Sequence, residues 1–110
     1  MTFDEYQTRA LTTAIINDDP LMAKTIWVMG VAGEAGEVVE KWKKIVAYRQ
    51  GQISKDDLTD LAHELGDVVW YVAVLADALG LSFDEVMSDN LKKLNDRQRR
   101  DVIKGVGDNR

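Results

Sequence analysis

The chain has 110 residues, of which 45% are hydrophobic and 30% charged, so it suits one globular domain and is too apolar to be disordered. Its formal net charge of -5 argues against a broad basic surface for nucleic acid or an anionic membrane, and the lack of cysteine excludes disulfides and thiolate metal sites. No apolar run reaches the ~18 residues of a spanning helix, and Met1–Tyr6 lacks the features of a signal peptide. We expect one cytoplasmic domain over residues 1–110 that binds neither nucleic acid nor membrane.

Four helices are predicted, because the chain has one proline and few alternating apolar stretches. Thr2 and Ser82 each begin a Ser/Thr-x-x-Glu capping box, and Ser54 is a third candidate N-cap. A polar, glycine-containing tail follows from about residue 98. The predicted fold class is all-α, a four-helix-type bundle, with helices over Phe3–Asn17, Leu21–Arg49, Lys55–Ala78 and Phe83–Arg97, the second of which can bend or break near Gly30 and Gly33.

The third predicted helix is apolar over most of its circumference. A helix of this kind needs neighbours on most sides, and a chain this short has few helices to supply them. We therefore expect a homodimer or homotetramer that completes the bundle. The residues on the wide apolar arc are Leu58, Leu61, Leu65, Val68, Val69, Val72 and Leu75.

A short acidic motif occurs twice, as Glu34-Ala35-Gly36-Glu37-Val38-Val39 and Glu64-Leu65-Gly66-Asp67-Val68-Val69. Residues three apart share one face of a helix, so each copy presents a carboxylate pair beside an apolar stripe. Like charges beside apolar surface need a cation or a proton. Carboxylate oxygens suit hard cations, so the repeat predicts one Mg²⁺ site divided between two helices. The glycine at the same place in both copies predicts close helix packing beside the site.

The alternative is that these acids lie on solvated helix faces, which is common for either pair taken alone. The recurrence beside valines favours the metal site. A di-iron site needs a Glu-x-x-His on each of two helices, and the chain has one histidine, His63. No zinc-protease or phosphate-loop motif is present.

The fourth predicted helix carries two cations and an amide on one stripe, Asn90, Lys93 and Arg97. These side chains could grip phosphate oxygens opposite a metal. A solvated helix C-terminus is the alternative. The acidic repeat favours the phosphate interpretation, because cations and a metal site together are what phosphoryl chemistry needs.

The chain resembles the MazG-like family of all-α nucleoside triphosphate pyrophosphohydrolases. The acidic repeat is similar to the family's Glu-x-x-Glu and Glu-x-x-Asp signature, and residues 90–97 resemble the Asn-x-x-Lys-Leu-x-x-Arg segment that follows it. The resemblance implies Mg²⁺-dependent hydrolysis of ribo- or deoxynucleoside triphosphates to a monophosphate and pyrophosphate, with Mn²⁺ as a possible substitute. It also implies that one acid serves as general base. The implied catalytic and metal-binding residues are Glu34, Glu37, Glu64 and Asp67, and the implied phosphate contacts are Lys93, Arg97 and Asn90.

Two other functions stay open at this point. A phosphoribosyl-ATP pyrophosphohydrolase would share the metal chemistry and the fold. A non-catalytic helical scaffold dimer would keep only a cation-binding acidic face. Retention of all four acids together with Lys93 and Arg97 argues against the scaffold.

Overall fold

The computed structural model describes residues 1–100. This range contains no strand, which confirms the all-α prediction. The third helix has its predicted bounds, and the others differ only at their ends. The tail expected from about residue 98 lies, beyond Arg100, outside the described residues. The four helices are α1 Phe3–Leu11, α2 Pro20–Arg49, α3 Lys55–Ala78 and α4 Phe83–Arg99.

Helix α1 is shorter than predicted, since it ends at Leu11 and not at Asn17. The hydroxyls of Thr12 and Thr13 donate to the carbonyls of Arg9 and Ala10 at 2.6 and 2.8 Å. Threonine competes in this way for the carbonyls that the next helical turn would use, and its branched Cβ lowers helix propensity further. The predicted extension to Asn17 is therefore wrong.

Helix α2 runs without interruption from Pro20 to Arg49, so the break considered near its glycines is not found. Its start has the expected chemistry: the Asp19 carboxylate accepts from two first-turn amides, and proline occupies the first turn, where an amide hydrogen is not needed. Its end is a left-handed turn at Gln50 (φ 54°) and Gly51 (φ 81°). This turn sends the chain back along α2 and begins α3.

Helix α3 is the centre of the fold, because α1, α2 and α4 all pack against it. Helix α2 lies antiparallel along it: Trp27 near one end contacts Trp70, with ring centroids 5.7 Å apart, and Arg49 at the other end pairs with Asp57. Helices α1 and α4 pack on each other and on α3, and within the described residues the backbone of α2 packs on α3 alone, while Trp27 of α2 shares one core cluster with Ala10 and Val74. Helix α2 is therefore covered on one side only.

Gln7 joins α1 to the turn between α3 and α4. Its buried amide donates to the carbonyls of Ala73 and Leu81 at 3.0 and 3.1 Å, and its oxygen accepts from the amide of Phe83. A buried amide costs free energy unless its hydrogen bonds are made, and here they are. The buried apolar residues around this junction are Ala10, Trp27, Ala73, Val74, Ala76 and Phe83.

Two apolar stripes stay exposed on the outer sides of α2 and α3, namely Val39, Trp42 and Val46, and Leu58, Leu65 and Val69. They agree with the expectation that α3 needs more cover than one chain supplies. That a second copy covers them stays a prediction. Within residues 1–100 no single helix is long and apolar enough to cross a membrane, and only α3 and α4 together, with 104° between them, meet the length and composition of a span.

Candidate metal centre

Three carboxylates from α2 and α3 converge at the middle of the helix pair. Glu64 and Asp67 are three residues apart on α3, and Glu34 faces them from α2 because the two helices are antiparallel. One oxygen of each side chain lies within 4.8 Å of the others. The structure thus brings together three of the four predicted acids, from both copies of the motif.

The environment of Glu34 raises its pKa above the ordinary value. Partial burial is the largest cause, followed by the negative charges of Asp67, Glu64 and Glu37. A carboxyl group among other carboxylates resists ionisation unless a positive charge enters. The electrostatics of the site therefore favour either a proton or a cation.

Glu37 stands outside the group of three and is exposed. It is still close enough for its charge to contribute to the raised pKa of Glu34. The next residue on that face of α2 is Lys41, whose Nζ lies 3.8 Å from Oε1 of Glu64 on α3. Lys41 therefore brings a cationic side chain from α2 to the acidic group.

Lys41 and Tyr6 are the two neighbours of the site to which sequence reasoning gave no role. Lys41 lies on the same helix face as Glu34 and Glu37, so its spacing was a usable signal. Tyr6 comes from α1, and its pKa is raised by burial and by the charge of Asp67. No local pattern indicates Tyr6, because only tertiary packing brings α1 to this part of α3.

An aromatic cluster closes one end of the site. Tyr71, one turn beyond Asp67, lies against α2 at Gly30, where an added Cβ would overlap its ring. Trp27 and Trp70 pack on the same ring, with centroids 6.1 and 4.9 Å from it. Trp27, Trp70 and Tyr71 are therefore part of the hydrophobic core or packed against it.

The glycines of the acidic repeat do not have the expected role within this chain. A Cβ added at Gly36 or Gly66 would meet nothing within 4 Å. The prediction that both permit close helix packing beside the site is therefore wrong for contacts inside the protomer. The close approach occurs instead at Gly30, one turn before the first copy of the motif begins.

The α4 residues have different environments. Lys93 is exposed, Asn90 is half-buried, and Arg97 is 3% exposed. Helix α4 packs on α1 and α3 and, in the described residues, has no contact with α2. The role of the stripe toward phosphate stays a prediction.

The donor set fits a hard divalent cation. The group offers only carboxylate oxygens, which Mg²⁺ and Mn²⁺ accept and which softer ions prefer less. Mg²⁺ usually takes a few carboxylates and leaves further positions to water and substrate phosphates. Three converging acids, with one more nearby, match that requirement. Among residues 1–100 it is the one group of three acids or histidines whose ligand atoms lie close enough together to hold one ion.

Comparison with known proteins gives an independent result. The family model of the MazG nucleotide pyrophosphohydrolase domain matches residues 24–101, which include both acidic motifs and the α4 stripe. The chain is also similar to the Gene 37 protein of Mycobacterium phage L5, at 44% identity over 114 residues and with 100% of each chain covered. No solved structure matches.

Proposed function

The chain belongs to the MazG nucleotide pyrophosphohydrolase family, and on that premise we propose that it hydrolyses nucleoside triphosphates to a monophosphate and pyrophosphate with Mg²⁺. The observation that carries the proposal is the convergence of Glu34, Glu64 and Asp67 from two helices. A family member that had lost its activity would have no need to keep three mutually repelling acids together. Mn²⁺ is the expected substitute ion.

Glu34, Glu64 and Asp67 would hold the cation, with Glu37 joining them when the site is loaded. The bound ion supplies neutralisation of phosphate charge and makes water easier to deprotonate. The chain's own task is to keep the acids in place, which the antiparallel packing of α2 on α3 performs. Rigid placement matters because a catalytic group that must reorganise loses much of its effect.

The reaction exchanges one bond for another at the phosphorus of the attacked phosphate. A water oxygen forms a bond to the phosphorus, the bridging bond to the neighbouring phosphate breaks, and pyrophosphate leaves. The proton of the water passes to a carboxylate. The acceptor is one of the acids that the ion leaves unbound, because a carboxylate that binds the ion is a weaker base.

Lys93, Arg97 and Asn90 are proposed to contact the phosphates. Lysine acts as a point charge, and arginine binds two phosphate oxygens at once. Lys93 is the most accessible of the three, since it is exposed, whereas Arg97 is buried. Arg97 would therefore hold the geometry of the stripe as well as bind anions.

A second copy of the chain is proposed to complete the assembly, as a homodimer or homotetramer. The support is the one-sided packing of α2 and the exposed apolar stripes on α2 and α3. Apolar side chains gathered in stripes usually mark a contact surface. Isologous pairing would bring the same stripe of both copies together.

A substrate panel tests the proposed function. Ribo- and deoxynucleoside triphosphates are incubated with the protein and Mg²⁺, and monophosphate and pyrophosphate are measured. We expect turnover that a chelator abolishes and that Glu64→Gln lowers by more than about 100-fold. Glu85→Gln, at an exposed acid on α4, serves as the matched control and should leave turnover unchanged.

Two results would overturn the proposal. Turnover confined to phosphoribosyl-ATP would make the protein a phosphoribosyl-ATP pyrophosphohydrolase. No turnover of any nucleotide, from a folded protein, would favour the helical scaffold with a cation-binding face.

A further inference from the structure

Lys41 is the cation that lies against the acidic group. Its Nζ is 3.8 Å from Oε1 of Glu64, across the interface between α2 and α3. The Glu64 side chain is 17% exposed and that of Lys41 35% exposed, so the pair is partly shielded from water. Partial shielding makes the ion pair stronger than one at an open surface.

The neighbouring lysines on α2 behave differently. Lys43 and Lys44 both pair with Glu40, which lies on their own helix. Such pairs within one helix contribute little and leave the active site untouched. Lys41 differs from them because its ion pair joins two helices, with its partner Glu64 on α3.

The side chain of Lys41 also borders a second space. A cleft of about 300 Å³ lies between the C-terminal half of α2 and the N-terminal half of α3. Its polar lining residues are Lys41, Lys44, Tyr48, Arg49, Asp57 and Asp60. Lys41 thus stands at the boundary between the acidic group and a cleft lined by three cationic and two acidic side chains, in which Arg49 pairs with Asp57.

From this placement we propose that Lys41 is the resident counter-ion of the acidic site: it holds Glu64 in the metal-free protein and yields that carboxylate when a divalent cation binds. The inference rests on the proposed function, since it concerns the same site. The displaced ammonium then faces the cleft, where it contacts the anionic part of the nucleotide. Lys41 is a positioning residue for the acids and a binding residue for the substrate.

Two opposite effects follow from removing this charge. A nearby ammonium repels an incoming divalent cation and competes for Glu64, so its loss strengthens metal binding. The same ammonium attracts nucleotide, so its loss weakens substrate binding. A merely structural role for Lys41 would not change the two affinities in opposite directions.

The first measurement is Mn²⁺ binding without nucleotide, followed by electron paramagnetic resonance. Lys41→Gln is compared with the wild type, with Lys41→Arg, which keeps the charge, and with Lys43→Gln, which removes an exposed lysine two residues away. We expect Lys41→Gln to bind Mn²⁺ about three- to tenfold more tightly, because a positive charge some ångströms from the ion is gone. Lys41→Arg and Lys43→Gln should bind as the wild type does.

The second measurement is steady-state turnover of a nucleoside triphosphate at saturating Mg²⁺. We expect KM to rise in Lys41→Gln while kcat changes less, and Lys41→Arg to restore the wild-type KM. An unchanged KM would contradict the proposed contact between Lys41 and the nucleotide. Circular dichroism of each variant checks that the helices are intact.

The counter-ion role is wrong if Lys41→Gln, correctly folded, binds Mn²⁺ with the wild-type affinity. That result leaves the proposed activity in place, since the wild type would still bind the ion and turn over nucleotide. If the wild type itself binds no Mn²⁺, the acidic site and the role of Lys41 fail together.

Discussion

Asp4 and Asp84 each accept a hydrogen bond from the first turn of the other's helix. Oδ1 of Asp4 accepts from the amide of Asp84 at 2.9 Å, and Oδ1 of Asp84 accepts from the amide of Phe3 at 3.0 Å. The hydroxyl of Ser82 donates to both oxygens of Asp4. The free amides at the start of a helix need such partners. Here α1 and α4 supply them to each other, which fixes the two helices together.

Replacement of Asp4 by alanine should destabilise the protein, because it removes the acceptor of several hydrogen bonds between helices. We expect the melting temperature, followed by circular dichroism, to fall by about 4–8 °C, as for the loss of a helix cap in a domain of this size. Glu5→Ala is the matched control, since it removes an acid from the same turn without that link. Equal melting temperatures for the two variants would contradict the capping role.

The effect of Asp4 should also depend on pH. The amide of Asp84, and then the hydroxyl of Ser82, lower the pKa of Asp4 below its ordinary value of 3.8. A carboxyl group with a depressed pKa stabilises the fold above its unfolded value and loses that contribution as pH falls through the folded pKa. The gap in melting temperature between wild type and Asp4→Ala should therefore be full at pH 7 and close below pH 3.8.

Glu34→Gln should stabilise the metal-free protein at neutral pH. The pKa of Glu34 is raised above its ordinary value of 4.5, so the folded state holds its proton more tightly than the unfolded state does. Its stabilising contribution is present below 4.5 and is lost as pH rises through the folded pKa. With a chelator present, the melting temperature of the variant should be higher than that of the wild type at pH 7 and equal to it below pH 4.5.

Added Mg²⁺ should reverse this order, because the ion stabilises the wild type by binding the folded state. Glu85→Gln, at an exposed acid, should respond to pH and to Mg²⁺ as the wild type does. A metal-free Glu34→Gln protein less stable than the wild type at pH 7 would show that repulsion among the acids is not the controlling effect.

Gly30→Ala should destabilise the fold, although alanine is the better helix former. The new methyl group would overlap the ring of Tyr71, and overpacking of this kind typically costs about 1–3 kcal/mol. At Gly33 a Cβ meets nothing within 4 Å, so Gly33→Ala should gain up to about 1 kcal/mol from helix propensity alone. Urea unfolding of both variants measures the difference, and equal free energies of unfolding would show that Tyr71 moves aside freely.

Trp42→Glu should convert an oligomer into a monomer. Trp42 is 46% exposed and lies in one stripe of α2 with Val39 and Val46, at 66% and 49% exposure. A carboxylate in the middle of an apolar contact would be left without water or a partner. Light scattering after size-exclusion chromatography should give more than one chain for the wild type and for Lys43→Glu, and one chain for Trp42→Glu. A wild type that is monomeric at micromolar concentration would contradict the proposed interface between two copies of the chain.

The helices were the most predictable part of the fold. The bounds of α3 and the starts of α1 and α4 follow from Ser54, Thr2 and Ser82, because a side-chain cap and its amide are close in sequence. The end of α1 was missed, since helical periodicity continues past Leu11 while Thr12 and Thr13 turn their hydroxyls back onto the chain. Periodicity does not show whether a backbone carbonyl accepts from the next helical amide or from a threonine hydroxyl.

The sequence predicted that carboxylates form the site, but it predicted only in part which carboxylates lie together. Spacing along α3 places Glu64 and Asp67 on one face, and repetition of the motif points to Glu34 on α2. Which acid meets which depends on the register of α2 against α3, set by contacts between the two helices such as that of Gly30 with Tyr71, each one turn from an acid of the motif. That register brings in Glu34 and leaves Glu37 at the rim.

The sequence by itself determined the all-α class and the family and indicated the acids proposed to hold a metal, because these depend on local periodicity, caps and short motifs. Only the tertiary structure decided that Lys41 reaches Glu64, that Tyr6 approaches Asp67, and that Gly30, not Gly36, admits a neighbour. Each of these relationships joins residues from different helices. Their geometry follows from how whole helices pack, and spacing along one helix carries no information about it.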